Sequence, residues 1–189
     1  MNLKYSLFCL LSFLSGTLPA QYSFNHQPFD SLLQTYVNEQ GLVEYKAIKE
    51  QHDLLGKYLD LLEKVDPLKF ENWSKAEKLA FWINAYNAIT IEGIIRHYPI
   101  DYGNLVSRVR FPKNSIRQIG GFWDHVFIKV MGRDITLNQI EHEILREKFK
   151  EPRIHAVLVC AAIGCPLLEN RAFFPENWNL VLIRQIKIL

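Results

Sequence analysis

The sequence predicts an α+β fold: a single domain in which a long central helix packs with other helices against a small, mostly antiparallel sheet. Three observations lead there. Residues 77–99, EKLAFWINAYNAITIEGIIRHYP, place Leu79, Trp82, Ile83, Tyr86, Ile89, Thr90, Gly93 and Ile94 at i, i+3, i+4, i+7 spacing, which predicts a helix with one wide face for burial. Residues 122–130, FWDHVFIKV, alternate apolar and polar positions and run into Met131-Gly132-Arg133-Asp134, the pattern of a strand turning into a second one. The chain has 189 residues, 49% of them hydrophobic and 22% charged, which suits one domain with a substantial core.

Taken in order, residues 24–37 predict a short helix, with Asp30 as its N-cap and Leu32, Leu33 and Tyr36 on one face. Residues 41–45 form a turn and a short extended piece. Residues 47–65 read as one amphipathic helix through Ile48, Leu54, Leu55, Tyr58, Leu59 and Leu62, ended at Asp66-Pro67. Ser74 followed by Glu77 has capping-box spacing and opens the long helix, and Pro99 ends it near His97. Residues 100–121 follow neither period and read as a long functional or mobile connection. Thr136 and Gln139 repeat the capping-box spacing, opening a helix through Phe149 that Pro152 closes. Residues 154–160, IHAVLVC, predict a buried strand, and the tail beyond Pro175 shows no clear plan.

Residues 1–20 read as a signal peptide. Lys4 supplies a positive start, residues 5–14 are apolar but too short to span a bilayer, and Ala20 precedes a cleavage point at Gln21. The expectation is therefore an exported protein, periplasmic or extracellular, with residues 21–189 forming the domain and no transmembrane span after cleavage. Removing Cys9 leaves Cys160 and Cys165, in a compartment where disulfides persist. A net charge of +2 gives no reason to expect nucleic acid as a partner. No phosphate-cradling glycine loop or other cofactor motif is present.

The reactive side chains gather in residues 141–166. Glu141 and His142 are neighbours on a helix and point about 100° apart. His155 and Cys160 have opposite parity on the predicted strand, so they face opposite sides of the sheet unless it ends or bulges between them. Cys165 lies between Gly164 and Pro166; if a helical turn starts there, Cys165 is its N-cap and its thiol pKa is lowered. These residues suggest a thiol site with Cys165 or Cys160 as nucleophile and His142 or His155 as base, Glu141 or Asn84 orienting the imidazole. The competing reading is a Cys160–Cys165 disulfide in a non-catalytic binding or structural domain, with the Asn and His residues as internal hydrogen-bonders. Zinc is a third reading, but C-x4-C lacks the tight C-x2-C spacing of structural zinc sites, so no metal is assigned. Asn84 and Asn87, three apart on the long helix, are expected to tie neighbouring loops to it.

The stretches AEKLAFWINAYNAITIEGIIRHYP, GGFWDHVFIKVMGRDITLNQIEHEILRE and PRIHAVLVCAAIGCPLL resemble the domain-of-unknown-function family 547. The resemblance runs from about residue 44 to about residue 175. It implies a single mixed α and β domain, often in exported bacterial proteins, with no assigned reaction. It puts the family's signature polar residues on Asn84, Asn87, Glu141, His142, His155, Cys160 and Cys165. Family members usually continue for some tens of residues past the Cys-Pro segment, so the expectation here is a shortened C-terminus.

Overall fold

The computed structural model describes residues 24–101, 103–159, 161 and 166–186. Residues 1–20, Cys160 and Cys165 lie outside the described residues. The fold class is the predicted one, with helix dominating: a mostly helical α+β domain carrying one small antiparallel sheet.

Everything packs around one helix, Lys75–His97. Its start is the predicted capping box: the Glu77 amide donates to Ser74 Oγ at 3.2 Å and the Ser74 amide to Glu77 Oε2 at 2.8 Å. It stops where Tyr98, ahead of Pro99, turns extended. Burial exceeds the predicted single face, because every residue from Leu79 to Ile95 is buried. A helix enclosed on all sides has no polar face to spare for water. The helices in chain order are α1 (Gln27–Tyr36), α2 (Tyr45–Glu50), α3 (Asp53–Glu63), α4 (Pro67–Glu71), α5 (the central helix), α6 (Leu105–Arg110) and α7 (Trp178–Ile186). A π-helix, Gln139–Lys148, lies between α6 and α7 in the chain, and α2, α3, α7 and the π-helix all contact α5.

Several elements depart from the sequence expectation. Asp30 is not an N-cap. It sits buried inside α1, which starts after His26 with Pro28 in its first turn. Residues 47–65 are two helices, broken at Gln51 and His52, and the break lets His52 Nε2 reach Glu92 Oε2 on α5 at 2.7 Å. Residues 100–121 contain α6 and the 3-10 turn Ile116–Gln118. The tail forms α7, whose Leu182 is fully buried.

Of residues 122–130 only Lys129–Val130 is strand (β1), pairing with Arg133–Asp134 (β2) through the predicted turn. Met131 and Gly132 there have φ of 54° and 70°, the left-handed pair of a two-residue hairpin. Residues Phe122–Asp124 wind as a 3-10 turn instead, because packing decides this stretch. Phe122 and Phe127 both press on Gly93 of α5, where an added Cβ would stand 2.7 Å from each ring.

Of the predicted strand, residues 154–159 are described, and they are likewise no strand. Pro152–Ala156 is a 3-10 turn, with the Glu151 carboxylate accepting from the Arg153 amide at its start.

The Gly93 contact yields a prediction of unusual sign for a helical glycine. Alanine favours helix by about 1 kcal/mol over glycine, yet overpacking against two buried rings costs about 1–3 kcal/mol. Gly93→Ala is expected to lower the urea midpoint at unchanged m-value, and a raised midpoint would refute the packing account.

Candidate functional site

Two buried amides on α5 hold the ends of the stretch that carries both cysteines. Asn87 Oδ1 accepts from the Val159 amide at 3.0 Å while its Nδ2 donates to the Val157 carbonyl at 3.1 Å. One turn earlier, Asn84 Oδ1 accepts from the Phe173 amide at 2.9 Å and its Nδ2 donates to the Phe173 carbonyl at 2.7 Å. Each side chain thus pairs with backbone as a neighbouring strand would. Asp30 adds a third clip, accepting from the Ala172 amide at 2.9 Å. A fourth constraint is steric: at Gly41, with φ of 71°, a Cβ would come within 2.9 Å of Leu167 Cβ.

The paired bonds fix which way the Asn84 amide faces, and that fixes the tautomer of His26. Asn84 Nδ2 lies 3.1 Å from His26 Nδ1, and the Tyr58 hydroxyl lies 2.9 Å from the same nitrogen. Because Nδ2 can only donate, Nδ1 must accept, so His26 is neutral with its proton on Nε2. Burial pushes the His26 pKa down to about 3 from its ordinary 6.5.

The chemistry-bearing cluster is separate from the Asn84 contacts, and in it side chains from three elements, α5, the π-helix and the Pro152–Ala156 turn, meet at Glu141. Arg146 Nη2 donates to Glu141 Oε1 at 2.8 Å, His155 Nδ1 stands 3.5 Å from the same oxygen, and the Tyr86 hydroxyl is 3.5 Å from Oε2. Burial first, and the Glu141 charge second, hold the Tyr86 hydroxyl protonated far above its ordinary range, and the Trp123 side chain hydrogen-bonds to it as well. Glu141 is 9% exposed, whereas the side chain of His155 is 69% exposed. The result is a buried carboxylate backing a solvent-facing imidazole.

The π-winding brings Glu141 and Arg146 together. Five residues apart on an α-helix they would diverge by about 140°. The π-helix hydrogen-bonds i to i+5, as the Phe149 amide does to the Ile144 carbonyl at 3.4 Å, and so stacks such residues on one face. The capping box at its start is the predicted one, the Gln139 amide donating to Thr136 Oγ1 at 3.1 Å and the Thr136 amide to Gln139 Oε1 at 3.0 Å.

Among the residues singled out from sequence, Glu141 and His155 therefore meet. His142 is exposed, turned away from its buried neighbour. Asn84 faces His26 and Phe173, so its amide belongs to the clamp and not to the Glu141 cluster. The parity argument separating His155 from Cys160 lapses, since residues 154–156 are not strand. The N-cap argument for Cys165 lapses too, because residues 166–170 form no helical turn. Tyr86, Trp123 and Arg146 were not expected as polar partners. The two aromatics read as core, and Arg146 lies at a spacing that α-geometry does not favour.

A family model described as "Protein of unknown function, DUF547" matches residues 70–187, and the chain belongs to this family. Comparison with curated proteins and with solved structures gave no match.

Two measurements test this site's construction. His26 binds its proton far less readily folded than unfolded, so folding stability is full above pH 6.5 and falls as pH drops below it. Between pH 6.5 and 5 the loss is about 2 kcal/mol, and His26→Gln is expected to flatten that part of a stability-versus-pH curve. Separately, Asn87→Ala strands a buried N–H and a buried C=O, with an expected cost of about 2–4 kcal/mol in chemical denaturation. Asn87→Asp should do no better, since a carboxylate cannot donate to the Val157 carbonyl.

Proposed function

We propose that this domain is a thiol-dependent acyl hydrolase or transferase in which Cys165 or Cys160 is the nucleophile and His155 the base, oriented by Glu141. The observation that carries the reading is the buried Glu141 carboxylate 3.5 Å from Nδ1 of an exposed histidine. A carboxylate behind Nδ1 selects the tautomer that leaves Nε2 able to take a proton, and it stabilises the imidazolium that follows. Such contacts are often long without substrate and tighten on binding.

In the step this reading implies, the thiol gives its proton to His155 Nε2 as sulfur bonds to the acyl carbon. The imidazolium then protonates the leaving group as its bond to that carbon breaks. Water or a second acceptor cleaves the thioester, losing its own proton through the same imidazole and regenerating the thiol. Arg146 and the Tyr86 hydroxyl hold the Glu141 carboxyl in place. The reading also takes residues 1–20 as a cleaved signal peptide, so that the chemistry occurs outside the cytoplasm.

A second reading is supported by the clamps. Asn84, Asn87 and Asp30 are committed to backbone at both ends of the cysteine-bearing stretch, which also suits a structural domain locked by a Cys160–Cys165 disulfide. One experiment separates the two. Mass spectrometry after alkylation of exported protein, without reductant, is expected to find Gln21 as the first residue and at least one cysteine that labels quickly near neutral pH. His155→Gln is expected to slow that labelling and to lower turnover of activated acyl esters at least about 100-fold, the usual scale for a general base. If both cysteines resist alkylation until reduced, the thiol reading fails and the disulfide reading stands.

A further inference from the structure

Beside His155 the surface opens into a cleft of about 530 Å³ lined by Arg146, Lys150, Glu151 and His155. Its charges do not cancel locally. Glu151 is taken up by Arg153, whose Nε lies 2.6 Å from Oε1 and whose Nη2 lies 2.7 Å from Oε2. Arg146 gives one nitrogen to Glu141 and is otherwise half exposed, with donors to spare. Lys150 has no ion-pair partner among the described residues.

Lys150 also stands where its residue type is unfavourable. The π-helix ends at Lys148 with Phe149 as its C-cap, and the next residue, Lys150, has φ of 50°. The left-handed position just past a helix end usually goes to glycine, since a Cβ is strained there. This chain keeps a strained lysine at the mouth of the cleft, and strain of this kind collects at functional positions.

We infer that Arg146 and Lys150, on the cleft wall beside His155, form a subsite for a carboxylate, so that the acyl substrate carries a free carboxylate close to its scissile bond. This rests on the thiol reading for its catalytic meaning, but binding can be measured without catalysis. An arginine with free donors beside an unpaired ammonium suits the two oxygens of a carboxylate. A cluster on the wall that holds the base would fix the substrate's register against His155.

The test uses the full chain and two tripeptides, Ala-Ala-Ala with a free C-terminal carboxylate and the same peptide as its C-terminal amide, with inorganic phosphate as a third probe. Calorimetry at low ionic strength is expected to show the free acid binding at least about tenfold more tightly than the amide. Lys150→Gly is expected to erase that preference while raising the melting temperature by about 3 °C, because glycine relieves the left-handed strain. A residue placed only for structure would not lose binding while gaining stability. Equal binding of acid and amide, or an undiminished preference in Lys150→Gly, overturns the subsite. So does phosphate binding without any preference for the free acid, which would mark a site for inorganic anions. A Cys160→Ser, Cys165→Ser double variant is expected to keep the preference. If it does and no acyl transfer is ever found, the thiol reading falls while the subsite stands.

Discussion

The rest of the structure depends on two carboxamides buried in the middle of one helix. Asn84 and Asn87 lie inside α5 among Ile83, Tyr86, Ile89 and their neighbours, where an unpaired amide would be costly. Each is satisfied by one N–H and one C=O from a segment distant in sequence. That segment has no partner strand among the described residues, and the two side chains replace one. The arrangement exchanges sheet pairing for helix-to-loop pairing. This explains how a chain so dominated by helix can still fix the backbone of Val157, Val159 and Phe173, none of which lies in a strand.

The same constraint reaches the site. Val157 and Val159 are fixed by Asn87, and His155 lies just ahead of them in the 3-10 turn that meets Glu141. Tyr86, immediately before Asn87, reaches Glu141 from the neighbouring position on α5. Consecutive residues of one helix thus hold the backbone after His155 and the carboxylate behind it. The π-winding of Gln139–Lys148 completes the arrangement, since it alone lets Arg146 share a face with Glu141. Extended π-winding is rare and its departures from α-geometry collect at functional sites. Here it has an evident product, an arginine on a buried carboxylate.

What could be read from the sequence was what local chemistry decides. Both capping boxes are set by residues three apart and formed as expected, as did the Met131-Gly132 turn. The loop-tying role of the two asparagines was also legible, because a buried amide inside a helix has few other uses. The misreadings share a cause. Alternation in residues 122–130 suggested strand, but Phe122 and Phe127 answer to Gly93 on a helix, and a 3-10 turn satisfies that contact. Residues 154 and 156–159 look like a buried strand because they are apolar, and they are buried, but against α7, the π-helix and Asn87 of α5 rather than in a sheet. Residues 178–186 hid their helix behind Val181, Ile183 and Ile186, β-branched types that weaken a helical reading. Arg146 was invisible because i+5 partners exist only once the winding is known.

The division between scaffold and site follows from where strain and satisfaction lie. At Asn84, Asn87 and Asp30 every polar atom that touches the segment is paired, so these positions raise stability and positional order together. Lys150 is the opposite case, an exposed cation in a left-handed conformation that a glycine would occupy at lower cost. Folding alone gives no reason to keep a lysine there, and the clamps supply the stability that makes such a residue tolerable. A buried, satisfied interior next to a strained, charged rim is the distribution expected when a surface has work to do beyond holding itself together. On that argument the two ends of the π-helix are not equivalent. Its Thr136–Gln139 start follows the rules of folding, and its Phe149–Lys150 end departs from them beside His155, which the buried Glu141 carboxylate supports.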